Sequence, residues 1–287
     1  MRPIPRAVAC ALVAILVASC GDSTSPTTSA PPAETTTTTA PEPVNGIVAE
    51  IGTNRLYAVD RAFGLALRNV GDEPLTVEQV QLDSGRFASL PITDREVTLQ
   101  PGGRRFVLPL PYGEVRCDGE PEDVFGVVVV VDHGEELRLD ATEEYAGAVA
   151  RVHTRECAAA DVLDRVHITF GDDWASDGMT MSGELTLEQR HSGEPVAIDD
   201  AVGNVIFTLH LEQDHPVLRV SDDEPVARLP VTISADRCDP HAVAEFKRPY
   251  VFLSWIEVGD AEPVPVELEL LGGARQALVD LVAACSV

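Results

Sequence analysis

Beyond residue 45 the chain alternates hydrophobic and polar residues in short bursts. Val205, Phe207, Leu209 and Leu211 alternate with Ile206, Thr208, His210 and Glu212, the period-two pattern of a half-buried strand. Met179, Met181, Leu185 and Leu187 do the same against Thr180, Ser182, Glu184 and Thr186. Leu65 and Leu67 lead into Asn69-Val70-Gly71-Asp72, a turn signal, after which Leu75 to Leu82 resumes a strand. Residues 124–131 and 250–258 are apolar at successive positions, as expected of central strands covered on both faces. Gly, Pro and Asp turns separate these bursts, so roughly seven short strands fall in each stretch of about 110 to 130 residues, which predicts an all-β fold of β-sandwiches. One segment departs from the pattern. Leu278, Leu281, Val282 and Cys285 stand at i, i+3, i+4 and i+7 and predict a helical turn or two; the earlier counterpart, 145–157, shows this less clearly.

The alternating region repeats itself. Glu73-Pro74-Leu75 recurs as Glu194-Pro195-Val196, Leu108-Pro109-Leu110 as Leu229-Pro230-Val231, and Arg116-Cys117-Asp118 as Arg237-Cys238-Asp239, all displaced by 121 residues. Gly52 matches Gly171 and Gly64 matches Gly183, both displaced by 119. The shared register predicts an internal duplication, with sandwich units over 46–157 and 158–287. These units resemble tandem immunoglobulin-like domains of the kind common on bacterial surfaces. They depart from antibody domains in that the cysteines sit late in each unit and the first unit lacks a counterpart to Trp255.

The first 45 residues have another character. Arg2 and Arg6 precede a twelve-residue apolar run, Ala7 to Ala18, which is too short for a stable membrane span and matches the core of a secretory signal peptide. Val17-Ala18-Ser19-Cys20 then resembles the lipobox of bacterial lipoproteins. That resemblance implies a signal peptide over 1–19 and a mature chain beginning at a lipidated Cys20, anchored through a thioether-linked diacylglycerol with two acyl chains of the palmitate kind. More than one chain is needed because a single one binds only marginally, at about 0.8 kcal/mol per buried methylene. In 21–44, sixteen of 24 residues are Ser, Thr or Pro. Such a composition forms no core, so 20–45 is expected to be a disordered linker reaching roughly 75 Å if extended. The single lysine, Lys247, and the Thr-rich linker strengthen the resemblance to an actinobacterial surface lipoprotein.

Composition narrows the function classes. Against 21 Lys and Arg stand 47 Asp and Glu, a formal charge of -26, which argues against nucleic-acid binding because phosphate contacts need clustered cations. The chain has no G-x-S-x-G, S-x-x-K or H-E-x-x-H motif and no phosphate-binding glycine loop. No catalytic residue, metal ligand or cofactor is therefore expected. His167 and His210 alternate with apolar neighbours and read as residues of a strand's polar face. His153 precedes Cys157 by four, but the second unit has Leu281 at that place. Asp173-Trp174-Ala175-Ser176-Asp177-Gly178, with Glu184 at the twelfth position, matches a calcium loop at four positions and misses it at the third and ninth; an acidic turn between strands is the preferred reading.

The six cysteines complete the picture. Cys10 leaves with the signal peptide and Cys20 carries lipid. The remaining four permit three pairings, and export places them where disulfides persist. The duplication selects one bridge per unit, Cys117–Cys157 and Cys238–Cys285. The expected protein is thus a lipid-anchored, extracytoplasmic binding module of the cell envelope, touching the membrane through Cys20 and an envelope protein or polysaccharide through loops at the sandwich ends. A spacer without a ligand is the alternative, and an enzyme with an unrecognised site a more distant one.

Overall fold

The computed structural model describes residues 42–119, 125–212, 215–237 and 240–285. The first half consists of β1 (Ile47–Gly52), a single helical turn α1 (Arg55–Ala58), β2 (Ala62–Asn69), β3 (Leu75–Ser84), β4 (Thr93–Leu99), β5 (Phe106–Pro111), β6 (Phe125–Val131) and β7 (Glu135–Glu143). Helix α2 (Ala148–Arg165) follows. The second half consists of β8 (Val166–Phe170), β9 (Ala175–Ser176), β10 (Thr180–Gln189), β11 (Val196–Val202), β12 (Phe207–Leu211), β13 (Leu218–Val220), β14 (Val226–Ala235), α3 (Pro240–Glu245), β15 (Val251–Val258), β16 (Val264–Glu269) and α4 (Gly272–Cys285). The protein is all-β in class, with two β-sandwich halves and few helices.

Alternation decides which side chains enter each core, because successive strand residues point to opposite faces. Phe63, Leu65 and Leu67 of β2 face Leu110, Leu108 and Phe106 of β5 across an antiparallel ladder; all but Phe106 are buried. Met181, Leu185 and Leu187 of β10 face Ile233, Leu229 and Ala227 of β14 in the same way. The first core is built from β1–β7 with Val149 and Val152 of α2, and the second from β8, β10–β16 and α4 with Val162 of α2. One continuous helix of 18 residues, about 27 Å long, thus supplies apolar residues to both cores, its first half to one and its second half to the other. The expected boundary between 157 and 158 falls inside it. The Glu143 carboxylate accepts the N–H groups of Gly147 and Val149, satisfying helix-start donors that Gly147 has no side chain to cap.

The duplication is written into the ladders. Val77 pairs Val97 and Leu75 pairs Leu99; 121 residues later Ile198 pairs Leu218 and Val196 pairs Val220. The β-bulge between Val77 and Gln79 recurs between Ile198 and Asp200, again displaced by 121. An extra residue at the same place in both copies bends both strands alike. The halves differ in how their sheets close. β1 pairs β2 antiparallel and β7 parallel, so β4-β3-β6-β7-β1-β2-β5 forms one continuous seven-stranded sheet curled around its core. In the second half β8 pairs β10, and two separate sheets face each other, β12-β14-β10-β8 (with β9 on β10) and β13-β11-β15-β16.

Two strands start later than alternation predicts. Val205 is 56% exposed and Met179 53% exposed, each lying in the turn before its strand. Helix α4 is longer than predicted, starting at Gly272, with Ala274, Leu278 and Leu281 buried against the second core.

Candidate functional site

A cavity of about 340 Å³ opens on the outer face of the first sandwich, where β1 and β7 both end. Its floor is bare backbone. Gly52 and Gly64 are direct cross-strand partners, and because Ile51 and Leu65 point inward, both glycines present their outer face. A methyl group on Gly64 would meet the ring of Tyr57 at 3.2 Å, and one on Gly52 would collide with the Glu144 carboxylate. Missing side chains at two paired positions therefore let an aromatic ring and a carboxylate lie against the strands.

Three stretches distant in sequence build the walls. Asn54 caps α1, its Oδ1 accepting the Tyr57 N–H at 3.0 Å, which sets Tyr57 over the glycine floor. Arg105 reaches across from the segment before β5, donating from Nη2 to Glu50 Oε1 at 2.9 Å and forming an ion pair with Glu144 Oε1 at 3.2 Å. These side chains are between 31% and 42% exposed, so the pairs lie in water and fix geometry more than they add stability. Tyr145, 60% exposed, closes the rim. The parallel pairing of β7 with β1, Ile51 opposite Glu143, brings Glu144 and Tyr145 beside Gly52 and Thr53.

A second concavity, an open groove of about 630 Å³, runs between α2 and the β15–β16 turn, with Arg151 and Arg155 on one wall and Pro263 and Pro265 on the other.

The cysteines expected to pair in the first unit are joined: Cys117 and Cys157 form a disulfide with Cα atoms 5.5 Å apart, tying α2 to the segment after β5. Around it, the Glu156 carboxylate accepts the Tyr112 hydroxyl at 2.9 Å and the Arg61 guanidinium at 2.9 Å, while Arg61 also lies over the Tyr112 ring. Burial, then the Glu156 charge and hydrogen bond, push the Tyr112 hydroxyl well above the ordinary tyrosine value. His153 is buried, and its Nε2 hydrogen-bonds the Arg116 carbonyl at 2.8 Å, so that nitrogen carries the proton and donates. Cys20 lies outside the described residues, as do Cys238 and the side chain of Cys285.

The acidic segment at Asp173 forms part of a hairpin. Ser176 pairs Met181, and Asp177 Oδ1 accepts the N–H and hydroxyl of Thr180; that hydroxyl holds the Asp177 carboxyl below the usual carboxylate range. Glu184 sits on β10 and pairs with Arg228 at 3.3 Å. His210 is on the polar face of its strand, its Nε2 2.8 Å from the Ser234 hydroxyl, and His167 is exposed on β8. Among the described residues, no group of three or more His, Cys, Asp or Glu is placed to hold a metal ion, and no helix is long and apolar enough to cross a membrane.

Sequence reasoning noticed Gly52 and Gly64 as repeat markers and did not see them as a floor. It missed Asn54, Tyr57, Arg105, Glu144 and Tyr145, which only the pairing of β1 with β7 and of β2 with β5 assembles.

No family model and no curated protein matches the chain. Among solved structures it aligns with the YadV chaperone at 13% identity and a TM-score of 0.20, covering 78% of this chain and 100% of that one. It aligns with the Pseudomonas aeruginosa CupB2 chaperone at 11% identity and a TM-score of 0.20, covering 75% and 97%. An exo-chitosanase, CsxA of Amycolatopsis orientalis, aligns at 12% identity and a TM-score of 0.21, over 71% of this chain and 25% of the enzyme. Likenesses at these scores carry no argument about activity.

Proposed function

We propose that the protein is a lipid-anchored, extracytoplasmic binding module of the cell envelope, held to the membrane by a diacylglycerol on Cys20 and presenting its sandwiches beyond the Ser/Thr/Pro-rich segment. The observation that carries the binding half of this reading is the glycine-floored cavity on the first sandwich. A spacer needs no such recess, and this one is shaped by two paired glycines, a capped tyrosine and a guanidinium held between carboxylates. The Cys117–Cys157 disulfide supports the extracytoplasmic half, because such bonds persist in oxidising compartments. Binding is favoured over catalysis by the use of both carboxylates: Glu50 and Glu144 share one guanidinium instead of facing each other as an acid and a base.

Expression of the full chain in a bacterium with lipoprotein processing tests the anchor. The mature protein is expected in the membrane fraction with a blocked, diacylated Cys20 at its start, and Cys20→Ala is expected to appear unlipidated. Recovery of the wild-type chain as a soluble, unlipidated protein starting elsewhere overturns the anchor.

A further inference from the structure

We propose that the cavity at the end of β1 is a carbohydrate-binding site that takes one neutral pyranose unit of an envelope polysaccharide. The assignment deepens the binding-module reading and rests on it for the source of the sugar. Three observations select this ligand class.

The walls combine aromatic faces with planar polar groups. Tyr57 lies against the glycine floor and Tyr145 stands at the rim, offering rings on which the C–H face of a sugar can pack. Between them are hydrogen-bonding atoms not committed to other described residues. Asn54 uses its Oδ1 on Tyr57 and keeps both amide donors; Arg105 uses Nη2 on its carboxylates and keeps Nε and Nη1; Glu144 uses Oε1 on Arg105, and its Oε2 lies over Gly52. A pyranose presents vicinal hydroxyls that each donate and accept, so it can use the amide and guanidinium as donors and the carboxylate as acceptor together.

Charge excludes other small ligands. Two carboxylates surround one guanidinium, so the site carries an excess negative charge and disfavours phosphate, uronate or a peptide carboxylate. An apolar ligand would leave the same groups buried and unpaired. A neutral polyol satisfies them without a charge mismatch. Size agrees: about 340 Å³ lies at the small end of the range of roughly 300 to 1,000 Å³ for ligand pockets, room for one sugar ring rather than a long stretch of chain.

The second sandwich sharpens the assignment. Its ladder places Glu184, already paired with Arg228, where the first has Gly64, and Gly183 one position earlier on the inner face. Trp174 packs against Gly183 and turns toward the core. The duplicated fold thus carries no glycine-floored recess on the outer face at that place, and the recess of the first copy is a local departure built from its own residues.

The test uses the full chain, purified from membranes in detergent, titrated calorimetrically with a panel of neutral pyranoses (glucose, galactose, mannose, rhamnose) and their short oligomers. At least one is expected to bind with one site per chain. Tyr145→Ala, an exposed truncation whose retained fold is checked by circular dichroism, is expected to weaken binding at least about tenfold. Glu144→Gln and Arg105→Gln should weaken it comparably, and Tyr57→Phe should bind like the wild type because the ring is kept. Absence of binding across the panel, binding that survives both Tyr145→Ala and Arg105→Gln, or tighter binding of uronate sugars, phosphorylated sugars or peptides than of any neutral sugar would each overturn the proposal. Membrane fractionation judges the anchor and titration judges the sugar, so either can fail while the other stands.

Discussion

The two sandwiches share ladders, turns and a bulge, yet treat one glycine in opposite ways. Leu108 and Leu110 of β5 correspond to Leu229 and Val231 of β14, and across the ladder they face Leu65 and Phe63 in one copy and Leu185 and Gly183 in the other. The β2 strand therefore maps onto β10 at a displacement of 120, not the 119 that the match of Gly64 with Gly183 suggests. That slip of one residue moves the glycine to the other face of the sheet, because strand side chains alternate. In the first copy Phe63 fills the inner place, packing on Phe87 and Tyr112, and Gly64 leaves the outer face bare. In the second the inner place is vacated by Gly183, and Trp174 fills it from the loop after β8, packing beside Phe170 and donating its indole N–H to the Gly171 carbonyl. One glycine makes an outside recess; the other makes an inside hole that a tryptophan plugs.

The largest test of this comparison is removal of the inner ring from the first copy. Phe63 is fully buried, so Phe63→Ala is expected to destabilise the protein by about 3–5 kcal/mol through lost transfer energy and the cavity left behind. Trp174→Ala should cost less, roughly 2–3 kcal/mol, because Trp174 is only half-buried. Denaturant unfolding followed by far-UV circular dichroism measures both. A Trp174→Ala variant as stable as the wild type would show that the indole is not a plug.

The disulfide offers a second contrast, of nearly the same size. Cys117–Cys157 closes a loop of 40 residues, for which the chain-entropy model gives about 4 kcal/mol, less any strain. The internal repeat predicts a matching Cys238–Cys285 bridge. Non-reducing peptide mapping should find both linkages, and reduction should lower the unfolding midpoint. A Cys117–Cys238 linkage, or free thiols at 238 and 285, would break the symmetry of the two units.

A smaller effect isolates the slip itself. Gly183→Phe restores the residue that the first copy carries at this place, but a Cβ there would stand 2.5 Å from the Trp174 ring. Overpacking of this kind costs about 1–3 kcal/mol. Adding Trp174→Ala removes the obstruction, so the double variant is expected to be more stable than Gly183→Phe alone, with a coupling of about 1 kcal/mol or more. Additive effects would mean that Phe63 and Gly183 do not occupy equivalent places.

Much of the fold was legible because burial imposes period two on strands. Leu65, Leu67, Leu185 and Leu187 announced their faces, and the displacement of 121 ran correctly through β3, β4 and β5 into β11, β13 and β14. Helix α2 was nearly illegible. Its apolar stripe of Ala148, Val152, Ala159 and Val162 divides between two cores and is thinned by small residues and by Arg155 and Glu156 on the same side. Helix α4 was read only in its last turns because Gly272 and Gly273 disguise its start. The site was hidden for a topological reason. Asn54, Arg105 and Glu144 are separated by about 40 to 50 residues each, and the parallel pairing of β1 with β7 that gathers two of the three leaves no local mark. Glycine identity was misleading at 64 and 183, where the strand register and the residue match disagree by one.

The smallest predicted effect concerns pH and separates the halves by sign. In the second, the Thr208 and Ser234 hydroxyls hold the Asp236 carboxyl below its ordinary value of 3.8, so the folded state releases that proton more readily than the unfolded chain. Stability from this group is present above 3.8 and lost as the pH falls through the lowered folded value. In the first, Tyr112 is raised above its ordinary value of 10.0, chiefly by burial and then by Glu156. Its contribution is complete below pH 10.0 and declines as the pH rises past that value, because the unfolded chain ionises first. One proton limits the slope to about 1.4 kcal/mol per pH unit. Tyr112→Phe is expected to remove this alkaline component while leaving the acid limb unchanged, and Asp236→Asn to do the reverse. Both can be read from unfolding free energies measured between pH 3 and 11. An alkaline slope that survives Tyr112→Phe would assign it to another group and would sever the coupling of the buried ring to Glu156 in the middle of α2.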